Sequence, residues 1–132
     1  MCMYDGYGDS PTVSSHRQHR ARKAHKCVEC GRDIVVGEMY HYDFQIYEGW
    51  PFTSHTCKHC RVAQSWLIRE CGGYMIKGTW EDIAEHIREY PSLRFPLGRL
   101  VLGARRKWKA ANDALVAVPL VPTVSVAEYV RG

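Results

Sequence analysis

Cys27, Cys30, Cys57 and Cys60 are the residues with the most chemistry in this chain: two Cys-x2-Cys pairs separated by 26 residues, in the runs CVECG and SHTCKHC. One such pair alone serves either of two chemistries, dithiol exchange or metal ligation. The second pair favours the metal. Each short loop places two thiolates on one ion at about 2.3 Å, and two loops complete a tetrahedron. A redox dithiol needs a strand-to-helix setting within a βαβ unit, which is not apparent here. The expected cofactor is therefore one structural Zn2+ on Cys27, Cys30, Cys57 and Cys60. A closed four-sulfur shell leaves no position for water, so such an ion supports folding and does not react. His25, His55 and His59 flank the pairs, and one of them could replace a sulfur. Cys2 and Cys71 stand outside the spacing and are expected to be free thiols.

The elements that must hold these sulfurs can be read in outline. Gly31 follows the first pair, where a knuckle needs a residue free to turn. Ile34–Val36 reads as a short strand before a Gly37-Glu38 turn. Met39 to Tyr47 alternates, with Tyr40, Tyr42, Phe44 and Ile46 on one face and His41, Asp43 and Gln45 on the other. The expectation is that the aromatic face packs into the core and the polar face meets water. Glu48-Gly49-Trp50-Pro51 supplies a turn, Phe52 to Thr56 returns as a strand, and Arg61–Glu70 forms a helix. The second pair opens that helix, whose dipole favours thiolate over thiol.

Beyond a Gly-punctuated connector at 71–78, Thr79 reads as a helix N-cap with Asp82 completing a capping box. Trp80, Ile83, Ala84 and Ile87 keep helical spacing up to Pro91. Leu97, Val101, Ala104, Trp108, Ala111, Leu115 and Val118 make an a/d stripe, read as one helix over 97–118. It would pack within the chain or against a second copy, as a homodimer. Pro119 and Pro122 end it, and the alternating tail is either a strand that adds to a sheet edge or a loose terminus. The fold class is α+β, divided into a basic flexible segment (1–24), a zinc domain (25–72), a helical extension (73–118) and an extended tail (119–132).

Charge narrows the partners only a little. The chain has 18 Lys+Arg against 14 Asp+Glu, a formal +4, and four thiolates on one Zn2+ would lower this to about +2. The basic residues are nevertheless grouped. Arg17, Arg20, Arg22, Lys23 and Lys26 fall in an acid-free stretch over 14–26. Arg99, Arg105, Arg106, Lys107 and Lys109 fall in another over 99–109. The start of the chain has neither the basic nor the apolar region of a secretory signal, and no apolar run approaches a bilayer span. A cytoplasmic protein without a membrane partner is expected, in a compartment that keeps thiols reduced.

The order knuckle, β-hairpin, then helix with two ligands at its start resembles the treble-clef zinc finger. The wider run ARKAHKCVECGRDIVVGEMYHYDFQIYEGWPFTSHTCKHC also resembles a group of small bacteriophage and prophage proteins. That resemblance implies a phage origin, hence a bacterial host cell, and a treble-clef domain; it brings no activity with it. Treble-clef scaffolds also host His-Asn-His nucleases. These need an Asp-His dyad, an Asn and a second His between the pairs. Here His41, Asp43 and His55 are present, but residues 31–56 contain no Asn. The start of the first pair, CVECGRDI, is also similar to the zinc fingers of bacterial regulators that enter the RNA polymerase secondary channel. Their acidic-tipped coiled coil is missing here, and a short basic segment stands in its place.

A non-enzymatic binding module follows as the expectation, engaging nucleic acid or a nucleoprotein complex. Arg17, Arg20, Arg22, Lys23, Lys26, Arg105, Arg106 and Lys109 would take phosphates, and Trp50 would stack a base. The competing expectation is a phage inhibitor that binds a host protein or defence enzyme through the C-terminal helix and tail.

Overall fold

The structure, a computed structural model, describes residues 13–126. It is a small α+β fold. Three antiparallel strands, β1 (Val13–Arg20), β4 (Met39–Tyr47) and β5 (Trp50–Cys57), form a sheet in the order β1-β4-β5. A two-stranded ribbon, β2 (His25–Lys26) with β3 (Asp33–Ile34), lies between β1 and β4 in the chain. The hairpin β4–β5 turns on Glu48 and Gly49, both at positive φ (49° and 83°), and pairs Tyr47 with Trp50. Two left-handed residues give the tight turn whose twist matches the strands.

β1 is the first departure from the sequence reading, which has residues 1–24 as a flexible segment. Residues 13–20 are ordered against β4 over the whole register from Val13↔Ile46 to Arg20↔Met39. The stretch VSSHRQHR alternates without an apolar face, so its signal is weak. Its backbone hydrogen bonds with β4 make it a strand, and the residues from 14 to 20 all remain exposed, as suits a polar edge.

Helix α1 (Lys58–Cys71) starts directly from β5 and packs on the sheet. It then carries α2 (Thr79–Glu89), a 3-10 turn (Pro91–Leu93) and α3 (Arg94–Arg105). Trp66, Leu67, Ile83, Leu93 and Leu97 are fully buried where these helices meet. Each such side chain contributes about 1.5–3 kcal/mol relative to exposure. Thr79 is not the N-cap and Asp82 makes no capping box: Gly78 is the N-cap and has no side chain to offer. Glu29, from inside the first cysteine pair, accepts instead from the amides of Lys77 (3.0 Å) and Thr79 (3.3 Å). A carboxylate at that helix end also opposes the positive end of the dipole. Asp82 is buried and turns to His86, 3.2 Å away.

The expected helix over 97–118 stops at Arg105. Lys107 and Trp108 take left-handed φ values of 52° and 60°, which costs non-glycine residues about 1–2 kcal/mol each. Burial of Trp108 offsets this. Its ring is 3% exposed, lies beside Trp80 at 5.9 Å and donates its indole N–H to Cys60 Sγ at 3.4 Å. The a/d stripe therefore mixes true helix positions with a fold-back residue, and a homodimer through one helix over 97–118 loses its geometry. Beyond the turn, Lys109 bridges to Leu115 and the chain runs extended along α1. Trp66 Nε1 donates to Val124 O (3.0 Å), and Val126 N donates to Glu70 Oε1 (2.7 Å). The tail thus neither joins a sheet edge nor hangs free up to residue 126; the side chains of a helix hold it.

Gly103 permits the fold-back. A Cβ there would stand 2.2 Å from Cζ3 and 2.4 Å from Cε3 of the buried Trp108 ring. Gly98, one turn earlier, would meet nothing nearer than Arg94 Cγ at 3.9 Å. Gly103→Ala is expected to destabilise the chain by about 2 kcal/mol, whereas Gly98→Ala should be neutral or stabilise by up to about 1 kcal/mol. Urea unfolding of the two variants checks this; equal midpoints would contradict the packing described.

Candidate metal centre

Two turns bring the four sulfurs together. In the first, Gly31 N donates to Cys27 O (2.9 Å), with Gly31 at φ 79°. That left-handed residue lets Cys30 return toward Cys27. Arg32, only 4% exposed, donates to the Glu38 carboxylate and to Asp33 O (2.9 Å), bracing the ribbon behind the turn. In the second turn, Cys57 is the N-cap of α1 and its Sγ accepts from Cys60 N at 3.4 Å. Cys57 N also donates to Cys27 Sγ at 3.4 Å, so backbone amides of the second turn point at sulfurs of both turns.

The Sγ atoms of Cys27, Cys30, Cys57 and Cys60 all lie within 4.8 Å of one another, and Cys30 Sγ is 3.9 Å from Cys57 Sγ. A tetrahedral ion with bonds of about 2.3 Å requires sulfurs about 3.8 Å apart. The pair separation fits a shared ion and is far too long for a disulfide bond, about 2.05 Å. All four are free of disulfides. Their electrostatics point the same way. Hydrogen bonds from Cys30, then Cys57 and Cys60, hold Cys27 far below the ordinary thiol range. The hydrogen bond with Cys27 comes first in driving Cys57 and Cys60 well above it. Cys30 is also held below the ordinary thiol range: a hydrogen bond with Cys27 opposes this, and those with Cys57 and Cys60 outweigh it. Ionising Cys57 and Cys60 as well needs a cation between the four sulfurs. The cluster can therefore hold a metal ion.

The flanking histidines are used elsewhere. His25 and His55 stack on each other at 4.1 Å. His59 is buried, and its Nε2 donates to Val116 O at 2.6 Å, a further tie between α1 and the returning tail. Cys71 is disulfide-bonded, not the free thiol expected; Cys2 lies outside the described residues. Among the described residues, no second group of three or more His, Cys, Asp or Glu ligand atoms converges as these four do.

The polar face of the sheet reverses the sequence expectation, while on the aromatic face Tyr40 joins the core as expected. His41 and Asp43 are buried, 7% and 6% exposed, beside Ser54 and Thr56. They lie under α1 and the loop after it. Arg61 donates to Tyr74 OH (2.8 Å), and Tyr74 OH donates to Asp43 Oδ2 (3.4 Å). His41 Nδ1 shares a 2.9 Å hydrogen bond with His16 Nε2 of β1. Burial, then the charges of Arg61, His16 and Lys58, push His41 down to about pH 4. The opposite face carries the aromatics. Cross-strand pairing aligns Arg17, Tyr42 and His55 in one row and His19 with Tyr40 in the next. Ring contacts join them: His19–Tyr40 at 6.0 Å, His19–Tyr42 at 5.2 Å, Tyr42–His55 at 5.7 Å. Tyr40 is buried against His25 beside the metal turn, whereas Tyr42, Phe44 and His55 are half-buried and Arg17 and His19 are exposed.

The remaining basic residues scatter. Arg20 donates to Gly37 O (2.7 Å); Arg22 and Lys23 are exposed on the loop that follows. Lys26 pairs with Asp33 at 2.6 Å. Asp33 is held low first by Lys26, with smaller help from Lys107 and Lys109. Lys109 also lies 3.8 Å from Asp113, and Arg106 is exposed beside it. Arg105 ends α3 on another surface. Trp50, 71% exposed, sits at the hairpin tip across the sheet from the Arg17 row. Sequence reasoning missed Glu29 and Gly103; neither has a local pattern that marks its role. No protein family, curated protein or solved structure matches the chain.

Two outcomes are expected. Native mass spectrometry should find one divalent ion per chain, and chelation should remove it together with cooperative unfolding, since such sites contribute on the order of 10 kcal/mol. A chelated chain with an unchanged unfolding transition would refute the site. For His41, the unfolded state binds the proton more tightly, so its neutral form adds stability that is present above about pH 6.5 and lost toward pH 4. Between pH 7.5 and 5.5 the metal-loaded protein should lose about 1 kcal/mol more than its His41→Gln variant, read from urea midpoints at both pH values.

Proposed function

We propose that this chain is a non-enzymatic, zinc-dependent binding module that engages single-stranded nucleic acid, free or within a nucleoprotein, through the open face of its sheet. The observation that carries it is the connected set of rings His19, Tyr42 and His55, beside the exposed Arg17 and backed by the buried Tyr40, on the side of the sheet away from α1. Rings on a flat sheet offer stacking surfaces to bases of any kind, and adjacent guanidinium groups take the backbone. Arg22 and Lys23 lie at one end of this field, next to the metal turn.

Zinc is the reading for the ion, because an all-sulfur tetrahedral shell suits zinc and leaves it closed to substrate. The turn, hairpin and helix around the four cysteines support assignment as a treble-clef finger. The resemblance of residues 20–70 to small phage and prophage proteins supports a bacterial host cell as its setting. Among the described residues no helix is long and apolar enough to cross a membrane. The nuclease alternative is the weaker one: it needs an Asn that residues 31–56 do not have, and His41 and Asp43 are packed beneath α1.

The test is fluorescence anisotropy of a labelled single-stranded oligonucleotide, with a duplex of the same sequence for comparison. The single strand should bind more tightly, and affinity should fall as salt rises. Tyr42→Ala should weaken binding about tenfold, within the 1–3 kcal/mol expected per stacked base, while Tyr42→Phe retains it. Arg17→Ala should reduce the salt slope by about 0.7. Equal binding by wild type and Tyr42→Ala would remove the sheet face from the interaction.

A further inference from the structure

A second surface lies on the helical side. An open groove of about 340 Å³ runs along α3 beside Ile87 of α2, with Phe95, Gly98 and Leu102 as its apolar lining. Phe95 and Leu102 are 72% and 50% exposed, a large apolar area to leave in water. The floor is recessed at Gly98, where an added Cβ would meet only Arg94 Cγ at 3.9 Å. Arg94, Arg99 and Arg105 also line the groove, all exposed. None of the three has an ion-pair partner among the described residues, and Arg94 lies over the Phe95 ring at 5.2 Å. Arg94, Gly98, Leu102 and Arg105 fall on one helical stripe of α3.

We infer that this groove docks an acidic amphipathic helix of a partner protein, with one or two large apolar side chains on the Gly98 recess and carboxylates on the three arginines. Charge and polarity select that occupant together. An apolar strip along α3, with Ile87 of α2 beside it, suits the apolar stripe of a partner helix. Three unpaired guanidinium groups at its margin call for carboxylates on either side of that stripe, with the bidentate geometry arginine favours. A nucleic acid backbone would satisfy the arginines and leave the floor exposed. A basic partner would face three like charges. The surface is separate from the aromatic sheet face, so the inference does not rest on the proposed nucleic-acid reading.

The experiment uses the full metal-loaded chain and three synthetic peptides of equal length. One carries leucines at i, i+4 and i+7 flanked by glutamates; one has the same composition without that periodicity; one replaces glutamate by lysine. Anisotropy should show saturable binding of the first alone. Gly98→Leu, which fills the recess and improves helix propensity, should weaken it at least about tenfold. The Arg99→Glu/Arg105→Glu double variant should do the same. Circular dichroism and metal content confirm that each variant is folded. Equal binding of the scrambled peptide, or wild-type affinity in Gly98→Leu, overturns the inference. So does loss of oligonucleotide but not peptide binding in the double variant, which would assign the arginines to nucleic acid. A wild-type dimer in sedimentation that Gly98→Leu dissociates would make the occupant a second copy, and also overturns it.

Discussion

Four sulfurs held within 4.8 Å of each other are the constraint on which this structure depends. Such a group cannot ionise fully without a cation, and with one it becomes a rigid cross-link between residues 27–30 and residues 57–60. Both turns are shaped around it: Gly31 adopts a left-handed conformation in the first, and Cys57 serves as helix cap and candidate ligand in the second. The start of α1 is thereby set against the end of β5. Two further ties leave from the same place. Glu29 reaches out of the first turn to the amides that open α2, and Trp108 reaches in from the end of α3 to Cys60. The helices are therefore anchored to the centre at two points beyond the cysteines themselves.

This placement of α1 decides which face of the sheet is interior. The helix runs from Cys57 over the side that carries His41, Asp43, Ser54 and Thr56, and a polar layer forms beneath it. Arg61, Tyr74 and His16 supply hydrogen bonds to Asp43 and His41, directly or in relay, which offsets the cost of taking them from water. The aromatic side is left as an outer surface, supported at one end where Tyr40 packs on His25 beside the metal turn. A protein of this size has little apolar surface to spare. Rings at a half-exposed surface are then a cost to stability, and the proposed role in stacking bases gives them a purpose.

Much of the centre was legible in the sequence, because it rests on local rules. The spacing within each pair follows from how a four-residue turn meets one ion. Gly31, the Glu48-Gly49 turn and Pro91 are positions where backbone sterics leave few choices. The strand at Met39–Tyr47, a returning strand through Phe52–Thr56 and the helices after the second cysteine pair and at Thr79 follow from periodicity between those points. Trp50 and Pro51, read as turn residues, belong to β5, and the first helix starts at Lys58 and not Arg61. The readings that failed were those in which a local pattern has two tertiary solutions. Strand alternation separates two faces and is silent on which is covered. A heptad stripe from Leu97 to Val118 continues as helix only if nothing competes, and the burial of Trp108 over Gly103 competed. Thr79 looks like a cap until a better carboxylate arrives from 50 residues away.

By itself, then, the sequence determined the four cysteines as one metal-type set, the α+β class and the order of turn, hairpin and helix, since each depends on contacts within a few residues or on ligand spacing. Only the tertiary structure decided the inward face of the sheet, the enlistment of β1, the end of α3 at Arg105 and the path of the tail along α1. Those outcomes depend on which distant surfaces meet, where several kcal/mol of burial or hydrogen bonding outweigh the smaller local preferences that a sequence displays.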